Sequence, residues 1–264
     1  MADSLFDLKG KVAVVSGAAS GLGKATALAL GDHGASLLLA DFNAEGLSET
    51  STLLQAKGVC VVKQTCDVSH PGQIKDLFAT LDREFGKIDF LANIAGEGIL
   101  VPPEKLTQEQ LSQVFQNLVF GRFAMCQQAG TRMLAQGGGS IVNIGSLASI
   151  TGMGRGHIAY SMAMGAVAQM TRELSTEWAR RGVRVNAILP AQVKNPSLEK
   201  RMAADPGLEN QWLMGIPRGR LGMPTDIQGL MVLLASDASS WITGALIPMD
   251  GGNLAMNSGG TIGG

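Results

Sequence analysis

The sequence predicts an α/β fold: a doubly wound parallel sheet of about seven strands flanked by helices. Two observations carry this. Short aliphatic, β-branched runs alternate with helix-like stretches along the whole chain. The runs are apolar throughout instead of alternating with polar residues, as strands covered on both faces are. They occupy residues 11–17, 35–41, 58–67, 87–96, 139–146, 183–190 and 245–252.

The first run, "KVAVVSG", passes through a glycine turn into "LGKATALAL", a strand, a turn and a helix in succession. The second closes on Asp41. The third ends at "CDVS", after which Ser69 and Pro71 mark a helix start, since proline suits a first turn. After the fourth, Thr107 and Gln110 form a capping box for the helix entering "LSQVFQNLVF". The fifth, "GSIVNIGS", precedes the helix that holds "AYSMAMGAV". The sixth, "VRVNAILP", leads into residues 191–216, read as a substrate lid, and the seventh is "ALIPMDGG". No repeat or linker interrupts the pattern, so residues 1–264 read as one domain with a tail at 253–264.

With 264 residues, 45% of them hydrophobic, the chain can bury one full core. A net charge of -1 without long runs of one sign points away from nucleic acid and anionic membranes. The start of the chain lacks the pattern of a signal peptide, and no apolar run reaches the ~20 residues of a membrane span. Three cysteines and three scattered histidines make no metal-ligand spacing and suit a reduced, cytoplasmic interior.

In the first turn, Gly17 allows the tight bend, Gly21 lets a pyrophosphate approach the backbone, and Gly23 permits close helix–strand packing. The helix start then offers N–H donors to phosphates. A carboxylate at Asp41 can take both ribose hydroxyls and repel a 2′-phosphate, which favours NAD over NADP. Asp41 can alternatively be read as a helix N-cap before "NAEGLSE".

The chain resembles the short-chain dehydrogenase/reductase family over nearly its whole length. The resemblance rests on the spacing Gly17-x-x-x-Gly21-x-Gly23, on "CDVS", on "ANIAG" with Ile94 in place of the family's second asparagine, and on "RVNAILP" and "MDGG". It implies a Rossmann fold holding NAD through Gly17, Ser20, Gly21, Leu22, Gly23, Asp41, Phe42, Asp67, Val68, Asn93, Ala95, Gly96, Tyr160, Pro190 and Val193. It further implies a homotetramer, built through the helix of Tyr160 and the helix of "LSQVFQNLVFGRF". The implied reaction is oxidation of a small secondary alcohol or reduction of its ketone.

Tyr160, the only tyrosine, stands where the family has its proton-transferring tyrosine, and Ser146 stands where it has the serine that orients the substrate oxygen. Four residues on, where the family has lysine, stands Met164. In the family that ammonium favours tyrosinate and bonds the nicotinamide ribose. If it supplies roughly two to three pH units, its loss costs on the order of 3 to 4 kcal/mol, so turnover is expected to be weakened or absent. Lysine and methionine codons can differ by one base, which leaves natural and introduced replacement both open. The helical asparagine is displaced too: alignment on Gly121 puts Leu118 at its place and Asn117 one step earlier. Either a local bulge restores Asn117 or the side chain is misdirected. In the late loop Ala191 replaces a glycine, and Lys194 or Asn195 stands near the family's threonine. Leu198, Met202, Leu208, Trp212 and Met214 could line an apolar substrate pocket or pack the lid onto the body. His157, a turn before Tyr160, is a candidate substitute acid or base. Beside the dehydrogenase stand a non-catalytic nucleotide-binding protein and a non-redox lyase or cyclase using the same cleft.

Overall fold

A computed structural model describes residues 5–256; positions 257–264 of the expected tail lie outside the described residues. All seven apolar runs form strands: β1 Val12–Ser16, β2 Ser36–Asp41, β3 Val61–Thr65, β4 Phe90–Asn93, β5 Gly139–Ile144, β6 Val183–Pro190 and β7 Leu246–Met249. They make one sheet in the order β3-β2-β1-β4-β5-β6-β7, every pair parallel. Sequence order reverses direction between β1 and β4, which opens a crevice at the carboxyl edge of the sheet.

Helices cover both faces, as the continuous apolarity of the strands requires. On one face, α1 (Gly21–Asp32), α2 (Ala44–Gln55) and α9 (Gln228–Ala235) bury Leu30, Leu47, Leu54 and Met231 against Val15, Leu37 and Leu39. On the other, α3 (Pro71–Glu84), α5 (Arg122–Gln136) and α6 (Ile158–Trp178) pack Leu77, Phe78, Met125 and Met170 over Val14, Leu38, Leu91 and Ile141. Pro71 opens α3, and the Thr107–Gln110 capping box starts α4 (Gln108–Phe115). The lid contains α7 (Pro196–Ala204) and α8 (Leu208–Leu213).

A polar knot sits inside this second layer. Asn143 of β5 accepts from Asn93 of β4 at 3.0 Å and from the Cys126 thiol of α5 at 3.3 Å. It donates to Thr171 of α6 at 3.1 Å. Two strands and two helices are thus fixed in register by groups with no access to water. Burial pushes the Cys126 thiol up to about 11, so it stays protonated there. Asn143→Ala strands the Asn93 and Thr171 partners in the interior. Urea unfolding is expected to show a loss of about 3 kcal/mol; an unchanged midpoint would show that the knot is energetically idle.

Candidate active site

The site is built on the carboxyl edge of the sheet. The Ser16 hydroxyl, ending β1, accepts from Ile94 and Ala95 N–H at 2.9 and 3.1 Å and ties the turn after β1 to the turn after β4. Gly17 takes a φ of +73°, and a Cβ at Gly23 would lie 1.9 Å from the Gly17 carbonyl oxygen. Only glycine lets α1 start this close to the strand end. Space around Gly21 is open, and Ser20 leaves the first turn of α1 without a side-chain cap. The free N–H groups and the open approach are what an anionic pyrophosphate needs.

Asp41 is buried at the end of β2. Its carboxylate accepts from Ala19 N–H at 3.0 Å and from Asn43 N–H at 2.9 Å, joining the glycine loop to the β2 turn. Helix α2 is capped by Asn43 instead, which accepts from Gly46 N–H, so the N-cap reading of Asp41 is set aside. Each Asp41 oxygen keeps lone-pair capacity for a ribose hydroxyl. Beside it Phe42 is exposed. Burial works against ionisation of Asp67, but bonds from Ser69 and the nearby His70 prevail and hold its carboxyl below the usual range. Val68 is buried, and a Cβ at Gly121 would lie 2.1 Å from its carbonyl oxygen. Asn93 differs from the expectation of a cofactor contact: its amide is turned inward to Asn143 and the Arg122 carbonyl. Ala95, next along, lies against the turn after β1, where a Cβ on Gly17 would come within 3.1 Å of its nitrogen, and Val193 after Pro190 is bridged to Gly222. Asn195 caps α7 through Leu198 N–H and donates to the Val193 carbonyl, so its carbonyl oxygen is occupied.

Tyr160 lies in the first turn of α6, half-buried. Gly98 packs on it, for a Cβ there would lie 2.5 Å from the ring carbon Cδ2. The His157 ring meets it edge-on at 5.9 Å. Burial, then Arg155 and Arg201, push the His157 imidazole below its ordinary value, so it is neutral at pH 7. Ser146 follows β5, and its hydroxyl accepts from Ala148 N–H at 3.2 Å, which leaves its proton to donate. Met164, one turn beyond Tyr160, is fully buried among Val114, Leu118, Ala163 and Val167. Position 164 is closed in by hydrocarbon.

The helix between α4 and α5 departs from regular α-helical geometry. Residues Gln116–Gly121 form a π-helical turn, the bulge that absorbs one extra residue. It brings Asn117 and Leu118 together against Gly96: a Cβ there would lie 2.7 Å from Asn117 Oδ1 and 2.5 Å from Leu118 Cδ2. Asn117 Oδ1 is buried without a hydrogen-bond partner among the described residues.

Sequence reading missed Arg122. It follows the π turn and is only 3% exposed. Its guanidinium donates to the carbonyls of Ile94 and Ala95 after β4 and of Ile144 at the end of β5. The only sequence signal was an arginine inside the helix of "LSQVFQNLVFGRF". The lid also departs from the pocket-lining alternative. Leu198 and Trp212 close on Ile216 and Leu221, with Met202 and Leu208 against them, while Met214 stands 70% exposed.

Comparison with known proteins gives one pattern. Residues 17–253 match a family model described as enoyl-(acyl carrier protein) reductase. The D-threitol dehydrogenase of Mycolicibacterium smegmatis is 38% identical over 247 residues, 94% of each chain. The NAD-dependent glycerol dehydrogenase of Listeria innocua is 35% identical, covering 95% of this chain and 96% of its own. Among solved structures, a short-chain type dehydrogenase/reductase from Mycobacterium marinum superposes with a TM-score of 0.90 at 30% identity, over 96% of this chain and 99% of that one. A gluconate 5-dehydrogenase from Burkholderia cenocepacia, in complex with NADP and tartrate, gives 0.90 at 25% identity, over 97% and 100%.

The closed slot at Met164 makes a stability prediction. Met164→Lys places an ammonium among apolar side chains, and urea unfolding is expected to show a loss of about 3 kcal/mol. Undiminished stability would mean that the slot opens to the crevice.

Proposed function

The chain belongs to the short-chain dehydrogenase/reductase family, and from that premise we propose that it is an NAD(H)-dependent oxidoreductase of a secondary alcohol or its ketone. The observation that supports this most is the meeting, at one sheet edge, of a helix start open to phosphates and the phenol of Tyr160. Gly17, Gly21, Gly23 and the N–H groups after Ser20 would hold the pyrophosphate. Asp41, with Phe42, Asp67 and Val68 about it, would hold the adenosine. Ala95, Gly96, Pro190 and Val193 would border the nicotinamide, which when bound supplies the hydride acceptor or donor. Ser146 donates to the substrate oxygen, and Tyr160 exchanges a proton with that same oxygen. With Met164 in the lysine's place, turnover is expected to be reduced.

NAD is the preferred cofactor on this reading, because a buried carboxylate at Asp41 repels a 2′-phosphate. The substrate is a small molecule. The lid's apolar residues are spent on each other, and Arg155 and Arg201 lie near His157, whose ring meets Tyr160. A polar, hydroxylated substrate fits that rim better than the apolar one the sequence suggested. Phe123 and Met162, exposed on α5 and α6, suit the homotetramer, and the free cysteines suit a cytoplasmic setting. No described helix is long and apolar enough to cross a membrane.

Titration of NADH and NADPH against tryptophan fluorescence tests the reading. Energy transfer with at least tenfold tighter binding of NADH is expected, and Asp41→Ala should collapse that preference even if it weakens both. Absence of any quenching at about millimolar cofactor would sink the proposal, since cofactor enzymes bind at or below that range.

A further inference from the structure

We propose that Arg155 and Arg201 form an anion-reading subsite beside Tyr160, so that the alcohol or ketone taken by this chain carries a negatively charged oxygen group, a carboxylate or a phosphate. The subsite presupposes the dehydrogenase reading, with Tyr160 at the reaction centre, and narrows its substrate class. Both arginines are specificity-determining residues: they hold the end of the substrate away from the carbon that reacts.

The first support is placement. Arg155 stands in the turn that opens α6, closed by His157 N–H to the Gly154 carbonyl at 3.2 Å. The His157 ring meets the Tyr160 ring edge-on at 5.9 Å. The turn is also tied to the loop after β4: the Gly156 carbonyl accepts from Val101 N–H at 2.9 Å, and Gly98 of that loop packs on the Tyr160 ring. Arg201 comes from the lid helix α7, and its guanidinium lies 5.4 Å from the centre of the Trp212 ring. Body and lid each bring one cation close to His157, the ring partner of Tyr160.

The second support is unmet charge. Arg83, Arg132 and Arg220 each hold a carboxylate; among the described residues Arg155 and Arg201 enter no ion pair. Burial, then Arg201, hold the Arg155 guanidinium below its ordinary value, and burial, then Arg155 and Arg201, do the same to the His157 imidazole. No carboxylate offsets them at either group. Like charges drawn together and partly desolvated cost free energy, and an incoming oxyanion relieves it. The third support lies in the two elements themselves. Arg155 takes a φ of +59°, between Gly154 at +63° and Gly156 at +73°, a left-handed backbone that an arginine rarely adopts. On the lid, Trp212 is only 6% exposed, and its indole N–H is buried with no acceptor among the described residues. This rim holds donors in excess of acceptors.

The guanidinium suits the task, because its planar fork meets two oxygens of a carboxylate or a phosphate at once. His157 is neutral and adds no charge of its own. It spaces the anionic end from the phenol, so a short hydroxy acid or polyol phosphate can reach Tyr160 while the arginines hold its far end. A neutral polyol leaves both guanidiniums without a counter-ion.

Three probes on one four-carbon chain test this: erythronate with a carboxylate, erythritol 4-phosphate with a phosphate, and neutral erythritol. Calorimetric titration of the intact chain, with and without NADH, is expected to show one anion or both bound about tenfold or more tighter than erythritol, as a charge-assisted pair supplies. The tighter anion tells carboxylate from phosphate. Arg155→Gln and Arg201→Gln should each remove most of that preference and leave erythritol binding as it was, with Arg201→Lys keeping part of it. A merely structural arginine would weaken all three probes alike, and that result overturns the proposal. Equal binding of anions and erythritol overturns it too, as does a preference that survives both glutamine variants, or no saturable binding of either anion. Should a glutamine variant fail to fold, phenylglyoxal labelling of the parent decides. The anion should shield Arg155 and Arg201 where erythritol does not; labelling unchanged by the anion overturns the subsite. A chain that prefers the anions but binds no NADH would remove the dehydrogenase reading and leave the subsite standing. One that binds NADH without any preference removes the subsite alone.

Discussion

Carbonyl groups at the carboxyl edge of a parallel sheet set the terms for everything built there. A crevice must stay open for ligands, so helices cannot cover the strand ends, and every strand-end carbonyl still needs a donor. Here one guanidinium meets that need for Ile94, Ala95 and Ile144, bridging the ends of β4 and β5. The crevice floor is thus fixed by a charge that is expensive to bury and is kept because it answers several acceptors. The knot of Asn93, Asn143, Cys126 and Thr171 continues the same bracing one layer deeper.

Met164 belongs to a wider apolar arrangement. Met164, Leu118, Val114 and Val167 form one apolar cluster, with Tyr160 and Met153 at its margin. A flexible thioether fills that space well. The π turn delivers Leu118 to the cluster and Asn117 to Gly96 in a single step. The neighbourhood of Tyr160 is rich in hydrocarbon, while the approach to Gly21 in the glycine turn stays open.

The seven strands and the glycine turn were legible because their causes are local: continuous apolar runs, a glycine whose Cβ would collide, a capping box at Thr107 and Gln110. The π turn was legible only as a choice, since counting residues between Asn117 and Gly121 shows an offset but not how the backbone absorbs it. Arg122 was illegible for a different reason. An arginine in an amphipathic helix reads as solvent-facing, and only the three-dimensional meeting of β4, β5 and α5 shows the carbonyls that draw it inside. The lid stayed a choice for a similar reason: apolar spacing at Leu198, Met202, Leu208 and Trp212 fits a pocket wall and a packed cluster equally well.

The π turn also bears on how such a site can change. A straight helix that gains a residue rotates everything after it by ~100°, which would turn the far half of α5 off the sheet. Confined to Gln116–Gly121, the extra residue alters the side chains offered to the crevice while Met125, Ala129 and Met133 keep their places in the core. Chemistry at this edge is therefore open to revision by the gain or loss of a single codon, and not by substitution alone.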